Sequence, residues 1–177
     1  MICVLAIGFR NLIVDMFIFA LRVPLKIGKK MKTTSIVAIA LIVIILSGVG
    51  GQGILSIAAT IGIAALENHL HLKQAEVHGM SQRGGAVQSH LRISEKEIAS
   101  DLIPEGRADI IISVEPMESL RYLPWLSENG WLVTNTTPFV NIPDYPDMKA
   151  LIAEIEKFPH HIVINADEIA RQVKSPR

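Results

Sequence analysis

The longest unbroken apolar stretch, residues 36–46, lies between two serines and holds seven Ile or Val among its eleven residues. β-Branched side chains lose rotamer freedom in a helix and pack well on a pleated surface, so the run predicts a strand buried on both faces. A glycine turn, Ser47-Gly48-Val49-Gly50-Gly51-Gln52-Gly53, follows it. Residues 54–68 are then almost wholly apolar and rich in helix formers, which predicts a helix buried against a sheet or a partner.

Further along, residues 70–77 read as a second, more exposed strand. Gly84-Gly85 punctuates the chain, and over residues 86–93 Val87, Ser89, Leu91 and Ile93 alternate with Gln88, His90 and Arg92, the pattern of a half-buried strand. Residues 94–107 read as a crossing loop ending in Pro104-Glu105-Gly106. A buried strand is predicted over 109–114, and Glu115-Pro116-Met117-Glu118 starts a helix with proline in its first turn. Another strand covers 131–136 and stops at Thr137-Pro138. Helical spacing covers 148–158, a strand 161–165, and a last helix starts at Asp167. Strands separated by helices predict an α/β fold, a doubly wound, mostly parallel sheet with helices on both faces, in the manner of a Rossmann-like three-layer sandwich.

Residues 1–30 are apolar in part, but Arg10, Asp15 and Arg22 interrupt them, and no run reaches the roughly 18–20 residues of a membrane-spanning helix. The basic residues 26–32 followed by the apolar run imitate a secretory signal. Its Ile and Val content favours a strand, and a cleavage site would fall in or beside the glycine turn. The domain is therefore assigned to residues 31–177, behind an N-terminal extension of residues 1–30. Whether that extension is native, or translation starts at Met31, stays open. The last helix is expected to continue past Arg177, and the protein to be cytoplasmic with no membrane span.

A chain of 177 residues, half of them hydrophobic, accommodates one domain with a full core. Its 17 Lys and Arg balance 17 Asp and Glu, which leaves no electrostatic footprint for nucleic acid. The single cysteine, Cys3, excludes an internal disulfide and cannot supply the thiolates of an iron–sulfur cluster, so any cluster must sit on a partner. His69 and His71, or the adjacent His160 and His161, lack the spacing of a zinc site, and no metal is expected on this chain.

Gly48, Gly50 and Gly53 satisfy G-x-G-x-x-G, in which one glycine makes the tight turn, one lets a phosphate approach the backbone and one permits close helix packing. Amides at the following helix start, together with the helix dipole, suit a phosphate or pyrophosphate. A glycine turn also closes β–α connections for steric reasons alone. Glu76, 23 residues beyond Gly53, stands where a dinucleotide fold places its ribose-binding carboxylate. It opens a polar run, Glu76-Val77-His78-Gly79-Met80-Ser81-Gln82-Arg83-Gly84-Gly85. That run reads either as a solvated loop or as a flap offering Arg83 to an anion and His78 or Gln82 as hydrogen-bonding groups.

The glycine turn, this polar run and Glu115-Pro116-Met117-Glu118 together resemble the gamma-type domain of 2-oxoacid:ferredoxin oxidoreductases. Within that family, Leu120-Arg121-Tyr122-Leu123-Pro124 and Asn135-Thr136 bring the chain nearest to the beta subunits of the indolepyruvate enzymes. The resemblance covers about residues 44–170. Family members begin only a few residues before the glycine turn and continue past this C-terminus.

The resemblance implies a subunit, inactive alone, of an enzyme that oxidatively decarboxylates an aryl 2-oxoacid to its acyl-coenzyme A. Thiamine diphosphate and iron–sulfur clusters would be carried by an alpha subunit, with electrons leaving to ferredoxin, and coenzyme A would be received at or near this chain. Gly48, Gly50, Gly51 and Gly53 are then the candidates for the pyrophosphate and Arg83 for a phosphate or the substrate carboxylate. Glu76, His78, Ser81 and Gln82 order the flap, and Glu115 faces the same crevice. A stand-alone nicotinamide-dependent dehydrogenase, which Glu76 favours, and a non-catalytic assembly subunit are the alternatives.

Overall fold

The computed structural model describes residues 41–79, 84–140 and 142–172. The 1–30 extension, residues 36–40 of the first apolar run, Ser81, Gln82 and Arg83 of the flap, and residues 173–177 lie outside the described residues.

The apolar run enters the fold as β1 (Ile42–Val49), buried from Val43 onward. The glycine turn leads into α1 (Ile54–Glu67), after which β2 (His71–His78) and β3 (Ala86–Ser94) run back to back. Next come β4 (Ala108–Ser113), the short helix α2 (Pro116–Arg121), a 3-10 turn (Leu123–Trp125) and β5 (Leu126–Asn135). α3 (Met148–Ile155), β6 (His161–Ile164) and α4 (Ala166–Gln172) complete the described chain. The six strands form one sheet in the order β2-β3-β1-β4-β5-β6.

β1, β4, β5 and β6 are mutually parallel, whereas β3 lies antiparallel between β1 and β2. The sheet is thus mostly parallel with one antiparallel insertion. Apolar side chains cover both faces. On one, Ile54, Ile57 and Ile61 of α1 pack on Ile44, Leu46 and Leu91. On the other, Val43, Ile45 and Ile111 meet Tyr122, the C-cap of α2, and Ile155 of α3. Each such side chain contributes about 1.5–3 kcal/mol relative to exposure, which is why β1 sits at the centre.

Strand β5 starts five residues before the Trp131 expected from the pattern. Leu126 pairs with Ala108 and Trp131 with Ile110, so the intervening residues bulge. Gly130 makes the bulge possible, since a Cβ there would come within 2.5 Å of Leu126 Cδ1 and 2.9 Å of the Ala108 carbonyl. Helix ends are set by side chains. Asp147 Oδ1 accepts from the amides of Lys149 and Ala150, starting α3, and Asn165 is the cap of α4 rather than the end of β6, accepting from Glu168 N at 3.0 Å. Among the described residues no helix is long and apolar enough to cross a membrane.

Candidate functional site

The order in which the chain visits its strands switches sides between β1 and β4, which are parallel: from β1 the chain goes to β2 and β3 on one side, and later to β4, β5 and β6 on the other. The carboxyl ends of these strands open the crevice where such sheets hold ligands. The glycine turn lies at that point.

Inside the turn the glycines do different things. Gly48 is still within β1 and makes no turn. Its missing side chain admits Val114, just beyond β4, whose Cγ2 would stand 2.5 Å from a Cβ there, and Ile54, whose Cδ1 would stand at 2.9 Å. The expectation that the first glycine makes the tight turn is therefore corrected: Gly48 is a packing position within β1. The reversal is made by Gly51 and Gly53, at φ +98° and +85°, a region that side chains with a Cβ rarely adopt. Gln52 braces it, its Oε1 accepting from Val49 N at 2.7 Å. Gly50 donates its amide to the Gly85 carbonyl at 2.8 Å, so that amide too is committed to the fold.

Gly53 is the N-cap of α1 and brings no side chain to cap it. The amides of Ile54 and Leu55 therefore lack an intrahelical acceptor at the positive end of the helix. They open on a cleft of about 460 Å³ lined by Gly50, Gly51, Gly53 and Ser56 on the turn side and by Glu76 and His78 on the other. Glu76 and His78 share a face of β2 and are exposed there. Glu76 accepts from Gln74 Nε2 at 2.9 Å, and His78 Nδ1 lies 3.1 Å from the Gly79 carbonyl. A carbonyl only accepts, so this contact places the proton on Nδ1 and leaves Nε2 of a neutral His78 as an acceptor. The cleft thus combines unpaired amides, a hydroxyl, a carboxylate and an imidazole between apolar walls.

Glu115 is at the carboxyl end of β4, as the sequence implied, but it is fully buried and turned away from the crevice. Its Oε2 accepts from Glu118 N at 2.8 Å as the cap of α2, while Oε1 accepts from Tyr145 Oη and, at 3.5 Å, from Phe139 N. Those bonds use the carboxylate to hold Phe139 and Tyr145 against α2. Beside it, burial pushes the Glu118 carboxyl above the ordinary range and the Arg121 guanidinium, at 2.9 Å, opposes that shift.

Sequence reasoning brought together Gly50, Gly51, Gly53, Glu76 and His78, and the structure places all five around one cleft. It missed Ser56, although a hydroxyl in the first turn after an uncapped glycine is a readable signal. It also missed Tyr145, 30 residues from Glu115, for which no local signal exists.

The family described as pyruvate ferredoxin/flavodoxin oxidoreductase matches residues 43–177. Indolepyruvate oxidoreductase subunit IorB of Archaeoglobus fulgidus is 40% identical over 139 residues, 75% of this chain and 68% of its own length. The chain spans 59–68% of the length of four relatives bearing that name, at 37–41% identity. 2-Oxoglutarate synthase subunit KorC of Methanothermobacter thermautotrophicus is 32% identical over 114 residues, 64% of this chain and 53% of its own. Among solved structures, the pyruvate oxidoreductase subunit PORC of Thermotoga maritima shares the fold, with TM-score 0.55 and 22% identity over 75% of this chain and 66% of that one.

Proposed function

The chain belongs to the pyruvate ferredoxin/flavodoxin oxidoreductase family, and from that premise we propose that it is a subunit, inactive alone, of an enzyme converting an aryl 2-oxoacid, indolepyruvate first, to its acyl-coenzyme A. The higher identity to indolepyruvate than to 2-oxoglutarate relatives supports that substrate class. Its single cysteine does not fit a resident iron–sulfur cluster. Thiamine diphosphate and the clusters would supply decarboxylation and electron exit to ferredoxin from an alpha subunit.

One observation carries this chain's part: α1 opens uncapped on the cleft that both sequence motifs line. In the proposal, the amides of Ile54 and Leu55 and the Ser56 hydroxyl hold a phosphate of coenzyme A. Glu76 repels phosphate and accepts from a hydroxyl or amide of the same ligand instead. Arg83, on the segment between β2 and β3, supplies the compensating cation.

The nicotinamide alternative rests on Glu76, and the sheet order weakens it. In a dinucleotide fold the ribose carboxylate ends the strand next to β1, whereas here antiparallel β3 intervenes and moves Glu76 outward by about 4.8 Å. The test is reconstitution with the alpha subunit from the same source. Ferredoxin reduction that needs both subunits and coenzyme A, and that prefers indolepyruvate to 2-oxoglutarate, is the expected outcome. Turnover of nicotinamide by the chain alone would contradict it.

A further inference from the structure

Among the described residues, strand β2 is the free edge of the sheet, and all eight of its residues pair with β3 in unbroken register. Bulges, prolines and short length usually blunt such an edge, because unpaired backbone groups recruit another strand. None of these is present over His71–His78; Lys73 is its one cation.

The helix above the edge is unfinished in the same direction. Gly62 of α1 lies directly on β2, where a Cβ would stand 2.9 Å from Leu72 Cδ2. At 3.6 residues per turn, Leu55, Ala59 and Leu66 follow within about 60° of Gly62 around the helix, and Ile63 lies one residue step, about 100°, from it. Leu55, Ile63 and Leu66 are 51%, 58% and 62% exposed. The polar positions of the helix surface, Ser56, Thr60 and Glu67, lie further round, so an apolar ridge overhangs the free strand.

We propose that this edge and ridge form one isologous interface with a second copy of the chain. Two β2 strands pair antiparallel about a two-fold axis normal to the sheet, and the two α1 ridges meet above them. Such an axis keeps each face of the sheet continuous, so residues of like parity must oppose one another. Centred on Ala75, the register sets Gln74 against Glu76 of the other copy, Lys73 against Val77 and Leu72 against His78. No like charges face each other, and the side chain on the axis is small. Gln74 already donates to its own Glu76 at 2.9 Å, and the axis extends that pair into a four-residue polar cluster. The equal numbers of acidic and basic residues leave no long-range repulsion between copies.

The test uses the complete chain with Cys3→Ser as background, together with sedimentation equilibrium and mild oxidation. Directly opposed Cα atoms of an antiparallel pair lie about 4.5–5.5 Å apart, within disulfide reach. Ala75→Cys therefore cross-links to a dimer, while Lys73→Cys, opposite Val77 rather than itself, does not. Ile63→Lys with Leu66→Lys, both at exposed positions that leave the monomer folded, raises the dimer dissociation constant by about a hundredfold or more. A chain that sediments as a monomer at all concentrations overturns the proposal. So does equal cross-linking of the two cysteine variants, or an assembled enzyme in which the alpha subunit protects position 75.

Discussion

Gly50 donates its backbone amide to Gly85 at 2.8 Å, and Gly84 returns one to the Gly50 carbonyl at 3.3 Å. Two glycine motifs separated by more than thirty residues are thereby joined, because the β1–β3 pairing runs on from Val49 and Ala86 into the turn. Gly84 and Gly85, the glycine pair that closes the polar run, thus sit on the glycine turn itself.

The glycines should fail for different reasons. Gly48→Ala forces Val114 and Ile54 apart in a packed interior and is expected to cost about 1–3 kcal/mol. Gly53→Ala keeps the packing but strains the backbone, at about 1–2 kcal/mol. Urea unfolding of the two variants measures both, and a neutral Gly48→Ala would contradict the packing role.

Tyr145→Phe removes one hydrogen bond from a fully buried carboxylate. A loss of about 1–3 kcal/mol is expected, with faster proteolysis between residues 136 and 147. Glu115→Ala, which also removes the cap of α2, should cost more than Tyr145→Phe in the same denaturation assay.

His90 is buried, and its Nδ1 accepts from Ile103 N at 3.0 Å, so the ring must stay neutral to hold residues 95–107 on the sheet. Burial lowers its pKa below the ordinary 6.5, against a smaller opposing pull from Asp101. The unfolded chain therefore binds the proton first. Stability from this group is complete above about pH 6.5 and is lost as pH falls from there through the lowered folded value. His90→Gln should flatten the urea midpoint between pH 7.5 and 5. An unchanged pH slope in that variant would assign the dependence elsewhere.

How legible this was depended on the distance over which each decision is made. β1, the turn and α1 follow one another in sequence, and the Ile and Val run with its glycines declared all three. The antiparallel place of β3 was present as a length signal: seven residues separate His78 from Ala86, whereas a parallel crossover needs about a dozen or more. The first half of β5 was hidden, since the polar Ser127, Glu128 and Asn129 carry no strand pattern and only pairing with β4 draws Leu126 into the sheet. Glu115 was placed at the right strand end with the wrong orientation, because the Tyr145 and Phe139 groups that turn it inward arrive from a loop after β5. The role of Gly48 was equally non-local, set by Val114.

The most direct measurement is a calorimetric titration of coenzyme A into the reconstituted enzyme carrying Ser56→Asp. An acidic side chain in the first turn of α1 suits the helix dipole, so folding and assembly should be preserved or slightly improved. In the cleft the same charge faces the ligand's phosphate, and loss of that contact, worth about 1.5–3 kcal/mol, should weaken coenzyme A binding by roughly tenfold to a hundredfold. An unchanged affinity in a fully assembled variant would remove coenzyme A from this cleft and contradict the account.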